Sequence, residues 1–289
     1  WSWDFGDGNS ASKQNPDHYY TSDDTTFSTE LIIGTDSGCY DTTGKPVDIQ
    51  KRPSADFTAS NACRYDAISF QDLSTIHCNS IANYSWEFGD GQTGNSANPS
   101  HQYAKADTYH VQLTITTANG ITDSITKTVH VHPVPNTDFS VANECAYDTS
   151  NFKNSTTIPT GGSISSYQWH FGDGNSSTAT APSHYYGNAG QYNVSLIVTS
   201  DSGCMDTLSK PTDIHPVPQA AYSVDTNICF GDTASFKDNS TVNNGNLNTW
   251  SWDFGDGNSA SKQNPDHYYT SDDTTFSTEL IVGTDSGCY

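Results

Sequence analysis

Positive charge is scarce in this 289-residue sequence: Lys and Arg number 11 against 33 Asp and Glu, a net charge of −22, and only 15% of residues are charged. A surface of that sign repels phosphate backbones and anionic headgroups, so neither nucleic acid nor an acidic membrane is expected as a partner. No apolar run approaches the ~18 residues a membrane-spanning helix needs, and no signal peptide is present. Membrane insertion is therefore not expected of this segment, and the natural N-terminus is expected elsewhere. Also missing are a C-x-x-C or clustered Cys/His spacing for zinc, a Ser-His-Asp spacing, a phosphate loop and a dinucleotide fingerprint. These absences argue against an enzyme, a metal site and a bound cofactor.

What the chain has is repetition. The run W-x-F-G-D-G occurs at Trp3 to Gly8, at Trp86 to Gly91, at Trp169 to Gly174 and at Trp252 to Gly257, each copy 83 residues after the last. Aromatic residues alternate into it, as in Tyr167, Trp169 and Phe171, which puts three rings on one face of a strand and marks that face as core. Gly-Asp-Gly then reads as a tight hairpin turn, glycine supplying positive φ and Asp bonding nearby N–H groups. The period implies two complete domains flanked by two partial ones: residues 1–51, 53–133, 135–216 and 218–289, the last lacking its final strand. A longer period overlies the first. Residues 1–40 and 250–289 are identical except for Ile33 against Val282, whereas the modules otherwise differ widely, so the larger unit is three domains, or 249 residues.

Three ordered motifs in each module carry a resemblance. W-x-F-G-D-G is followed by N-P-x-H-x-Y (Asn98, Pro99, His101, Tyr103; Asn264, Pro265, His267, Tyr269) and Y-x-V-x-L (Tyr109, Val111, Leu113; Tyr192, Val194, Leu196). The chain resembles tandem polycystic kidney disease (PKD) domains, of the kind in large secreted surface proteins of Bacteroidota-like bacteria. The resemblance implies an all-β fold of tandem immunoglobulin-like sandwiches at an extracellular or cell-surface location. Departures are local: a Gly present as Gly190 is Asp107 in module two, and Thr274 to Phe276 fill that region in module four. The linkers His132-Pro133-Val134-Pro135 and His215-Pro216-Val217-Pro218 place Pro at alternate positions, which favours extended, stiff backbone. Domains so joined are expected to stack as a rod, at roughly 35 to 40 Å per domain and ~110 Å per trio.

Six of the seven cysteines fall into two positional classes. Cys63, Cys145 and Cys229 lie between the first and second strands of their domains; Cys39, Cys204 and Cys288 follow the Ser-Gly of the last hairpin. Cys78 stands in the loop before the aromatic strand of domain two, which has Ile121 at the hairpin position. In an oxidising extracellular setting these read as disulfides. One scheme pairs within domains: Cys145 with Cys204, Cys229 with Cys288 and Cys63 with Cys78. In the topology the resemblance implies, however, the two classes lie a strand length apart, beyond the ~7 Å that a disulfide allows between Cα atoms. The preferred scheme is therefore interdomain, Cys63 with Cys204 and Cys145 with Cys288. It leaves Cys39, Cys78 and Cys229 to partners in neighbouring repeats, and a distorted first strand would restore the other scheme.

The recurring His18, His101, His184 and His267 read as packing and hydrogen-bonding elements, and paired acids such as Asp253 and Asp256 as turn formers. Trp3, Trp86, Trp169 and Trp252 are the structural motif. Calcium at the acidic loops Asp23-Asp24 and Asp272-Asp273 is an alternative to the preferred solvated loops. If the source is of the Bacteroidota type, O-glycans are expected at Asp-Ser/Thr sites: Thr25, Thr42, Ser124, Thr207, Thr233 and Thr274. Asn83, Asn154, Asn175, Asn193 and Asn239 offer the rival N-glycan sequons. The function expected is the structural repeat region of a long, disulfide-linked filament, fibre or adhesin stalk. Its partners would be copies of itself, surface glycans or other cells. The alternative is a carbohydrate-binding or spacer region of a large secreted polysaccharide-degrading enzyme.

Overall fold

The computed structural model describes residues 1–23, 25–77, 80–142, 144–271 and 275–289, and regular structure among them is strand. Two units are distinguished, Trp1–Pro133 and Val134–Tyr289. In the first, Ser2–Asp4 lies between Ser10–Ala11 and Thr25–Gly34, and the latter pairs antiparallel with Tyr40–Ile49 through Thr25↔Ile49 to Gly34↔Tyr40. No second sheet faces this one among the described residues of domain one, so Trp1 is 57% exposed and Trp3 only half-buried.

Domain two is a complete two-sheet sandwich. Phe57–Ala59 and Ser100–Gln102 flank Ala67–Asp72 in one sheet. In the other, Asp107–Thr117 sits between Thr122–His132 and the aromatic strand Ile81–Glu87. Strict alternation along Asp107–Thr117 buries Val111, Leu113 and Ile115 against Phe57, Phe70 and Trp86, the pattern of a half-buried strand. Domain three repeats this, with Phe139–Ala142, Thr149–Asn154 and Ser183–Tyr185 facing Ser176–Ser177, Ile164–His170, Gly190–Ser200 and Met205–Ile214. In domain four the aromatic strand Leu247–Asp253 pairs with Glu279–Thr284, and the core gathers around Trp252.

Two expectations are refined. The first ring of each aromatic strand (Tyr84, Tyr167, Trp250) is only half-buried, whereas Trp86, Trp169 and Trp252 are fully buried. Each of these indoles donates its N–H to a carbonyl ten residues on, Ser96, Ala179 and Lys262, so burial costs no unmet hydrogen bond. The Gly-Asp-Gly segment closes a wider loop than a two-residue hairpin: the Phe171 N–H donates to the Asn175 carbonyl, and Phe88 and Gln92 do the same. Cys63 does lie between Phe57–Ala59 and Ala67–Asp72, but not in a plain turn. Cys63 ends the short strand Ala62–Cys63, which leaves the first sheet and pairs parallel with Val131 and His132 at the end of the last strand. That crossing satisfies backbone groups that a free turn would leave to solvent.

Candidate functional site

The turn after each aromatic strand is held by one repeated constellation. In domain three the Asp173 carboxylate accepts the Asn175 N–H through Oδ1 and lies 2.7 Å from His184 Nε2 through Oδ2. The His184 ring stacks on Phe171 at 4.0 Å and meets Tyr186 edge-on, and the Tyr186 hydroxyl donates to the Phe171 carbonyl at 3.0 Å. His18 with Asp7, His101 with Asp90 and His267 with Asp256 repeat the pair at 2.7 to 2.8 Å. Burial pushes these Asp groups up, but hydrogen bonds from the loop and from His more than offset it and hold all four below the usual carboxylate range, Asp256 at about 2. Burial raises the Tyr103 and Tyr186 hydroxyls well above their ordinary value.

Both oxygens of the carboxylate and the ring nitrogen facing it are used inside the turn, an arrangement that fixes a loop. Asp253 likewise accepts the Gly255 N–H, a turn-forming bond. The first glycine is required twice over. Gly172 has φ +85°, and a Cβ there would stand 2.9 Å from the Asn193 backbone nitrogen; Gly89 repeats this at 2.7 Å from the His110 carbonyl oxygen.

The second constellation is the joint between domains three and four. Cys145 Sγ is bonded to Cys288 Sγ at 2.00 Å, with Cα atoms 5.7 Å apart. On the domain three side, Cys145 pairs parallel with His215, the His215 N–H donates to the Glu144 carbonyl and the Ala146 N–H donates to the His215 carbonyl. On the domain four side, the Thr284 hydroxyl accepts the Cys288 N–H, fixing the buried cysteine in its hairpin. Ser200 does this for Cys204, and Thr35 for Cys39. Beyond the cystine the linker continues into the Gln219–Thr241 bridge, and a cleft of about 550 Å³ lies beside it, lined in part by Tyr147, Gln191, Asp213 and Asn244.

The structure thus brings Cys145 to Cys288 and not to Cys204. Cys63 and Cys204 are each disulfide-bonded as well. Cys39 and Cys229 carry free, exposed thiols, and Cys78 lies outside the described residues. Of the Asp-Ser/Thr sites, Thr25, Thr42, Ser124, Thr207 and Thr233 are exposed, and Thr274 lies outside the described residues. Asn83, Asn175, Asn193 and Asn239 are exposed and Asn154 is half-buried. Asp24, Asp272 and Asp273, the proposed calcium positions beside Asp23, also lie outside. Among the described residues no group of three or more His, Cys, Asp or Glu side chains is placed to hold a metal.

The turns that follow the first cysteine class share a backbone feature. Tyr65 and Tyr147, two residues after Cys63 and Cys145, adopt φ +73° and +62°, and Gly231 holds the same place after Cys229 with φ +97°. The Asp66 N–H donates to the Cys63 carbonyl across this turn, and Asp232 does so to Cys229. The glycine in one copy was the signal that all three copies turn through the left-handed region.

Comparison with known proteins bears on the whole chain. It is 27% identical over 143 residues to the pre-pro-metalloprotease PrtV of Vibrio cholerae, which is 50% of this chain and 16% of that protein. It is 40% identical over 76 residues to the collagenase ColA of Clostridium perfringens, 23% of this chain and 7% of that protein. The chain therefore matches only a small part of each relative's length. Among solved structures, the PKD1 domain of Vibrio anguillarum Epp is 34% identical, covering 28% of this chain and 93% of that one, with a TM-score of 0.26. The PKD domain profile matches residues 1–49, 50–133, 130–216 and 215–289, and with those four segments the chain belongs to the PKD domain family.

Proposed function

We propose that this chain is a structural repeat region of a long extracellular fibre, filament or adhesin stalk, in which PKD domains are locked end to end. The carrying observation is the Cys145–Cys288 cystine, which joins the base of one sandwich to the hairpin of the next. A cystine within a sandwich stabilises that domain alone. One across a joint resists bending and separation, which is useful where load passes along a chain of domains. Closing a loop of 143 residues also removes on the order of 4–5 kcal/mol of denatured-state entropy in the chain-entropy model. Disulfides persist in oxidising compartments, which supports an extracellular or cell-surface location. The proposed role is mechanical and non-enzymatic, with no cofactor. Its partners would be further copies of itself along or across a fibre, and surface glycans or other cells.

Similarity to segments of a metalloprotease and of collagenases favours a second reading, a spacer or carbohydrate-binding accessory region of a large secreted degradative enzyme. Electron microscopy of the native protein separates the two. A fibre should show a straight or helically coiled particle with an axial repeat of three domains, roughly 110 Å. Freely jointed globules, or a few modules attached to a large catalytic body, would overturn the fibre.

A further inference from the structure

Tyr147 holds a backbone conformation that glycine adopts at less cost. Its φ is +62°, in the left-handed region, and the equivalent place after Cys229 is taken by Gly231 at φ +97°. A bulky side chain is strained there against its own backbone, and glycine is not. The turn does not need the side chain, because backbone groups hold it: the Ala146 N–H donates to the His215 carbonyl at 2.8 Å and the Tyr147 N–H to the Tyr186 carbonyl at 3.0 Å. The tyrosine is 64% exposed, and among the described residues its side chain makes no hydrogen bond or ring contact that would offset the strain. A strained residue that the fold does not require points to a use outside the fold.

Tyr147 lines the cleft of about 550 Å³ at the joint, a volume in the range of small-molecule sites. Domain three also gives this cleft Asn188, Gln191 and Asp213, and domain four gives it Asn243 and Asn244, all of them exposed. Gln191 and Asp213 face each other across the strand pair, with the Gln191 Nε2 donating to Asp213 Oδ1 at 3.0 Å, which sets an amide beside a carboxylate. The side-chain amides of Asn188, Asn243 and Asn244 have no partner among the described residues, so their donors and acceptors are available. The Cys145–Cys288 cystine lies at this joint and ties the two walls of the cleft together.

We infer that this cleft binds a neutral oligosaccharide, with the Tyr147 ring against the apolar C–H face of one sugar and the amides on its hydroxyls. No Lys or Arg lines the cleft and Asp213 does, so charge works against phosphate, sulfate or any other anion. Sugar hydroxyls are both donors and acceptors, and so are side-chain amides, whereas the Asp213 carboxylate accepts only. Tyrosine supplies a flat apolar surface with a polar tip, which suits a ligand that is apolar on its faces and polar at its rim. The inference rests on the proposal that surface glycans are partners and gives them a place on the chain. It does not depend on assembly: fibres seen without sugar binding would overturn it and leave the fibre standing, and sugar binding without fibres would do the reverse.

The test uses the full 289-residue chain with its cystine intact. Isothermal titration calorimetry with cellotetraose, chitotetraose, maltotetraose and mannotetraose should show saturable one-to-one binding of at least one of them. Tyr147→Gly should weaken that binding by about tenfold, the effect of losing a stacked ring, while the thermal midpoint stays unchanged or rises because glycine relieves the turn. Asn244→Gly also keeps its backbone, since Asn244 has φ +61°, and should weaken binding by about threefold or more. No saturable binding of any tetrasaccharide, or equal binding by Tyr147→Gly, would overturn the inference. A fall in the midpoint of Tyr147→Gly would overturn it too, by showing that the fold needs the tyrosine. Binding that Asn244→Gly leaves unchanged would overturn the cleft between the two domains as the site.

Discussion

His184 Nε2 lies 2.7 Å from Asp173 Oδ2, and the pair links the turn after the aromatic strand to a strand of the opposite sheet. Stacking on Phe171 gives the imidazole one face in the core, so the turn, the core and the second sheet are connected through one ring. The same pair in all four domains makes it part of how the module closes.

Replacing that ring tests its weight. His184→Ala should lower the stability of domain three by about 1–2 kcal/mol, since a partly buried, charge-assisted hydrogen bond and a stacked ring are lost together. Denaturant unfolding followed by the Trp169 signal measures it. An unchanged midpoint would show the pair to be ornamental.

Acid should loosen the same turns. Burial alone would raise Asp256, but hydrogen bonds from His267 and Asn258 outweigh it and hold the group at about 2, below its ordinary 3.8. A depressed carboxylate adds stability that is present above the unfolded value and lost as protonation proceeds through the folded one. The stabilisation should therefore be intact above about pH 4 and fall away toward pH 2. Thermal unfolding across that window should show a falling midpoint, less steep in an Asp256→Asn variant.

The two glycines of the turn should differ in tolerance. Both Gly172 and Gly174 have positive φ, but only at Gly172 would a Cβ strike backbone. Gly174→Ala should cost about 1–2 kcal/mol, the usual penalty of the left-handed region, and Gly172→Ala clearly more. Equal midpoints for the two variants would contradict the close approach at Asn193.

Disulfide mapping bears on the joints. Non-reducing peptide mapping should recover Cys145 linked to Cys288, and Cys63 is expected to be linked to Cys204. A peptide joining Cys145 to Cys204 would contradict the structure of the joint. Cys288→Ser should lower resistance to unfolding while leaving the Trp169 and Trp252 cores formed.

Glycan analysis tests the surface. O-glycans are expected at the exposed Thr25, Thr42, Ser124, Thr207 and Thr233, where a sugar can project without disturbing a core. Glycopeptide mass spectrometry reads this directly. Sugars confined to Asn83, Asn175, Asn193 or Asn239 would overturn the bacterial O-glycan expectation, and an unmodified mass would reject both.

The sequence by itself determined the module. Spacing of Trp3, Trp86, Trp169 and Trp252 set the repeat, and the alternation along Tyr109 to Leu113 and Tyr192 to Leu196 set which faces are core, because period-two burial leaves a local signature. The two cysteine classes were legible for the same reason, as positions within a repeated unit. Tertiary structure decided what depends on residues far apart in the chain. That His184 meets Asp173 rather than solvent follows from two sheets closing on each other. That Cys145 bonds Cys288 follows from the linker at His215, which is pinned to Glu144 and Ala146 and leads directly into the next domain.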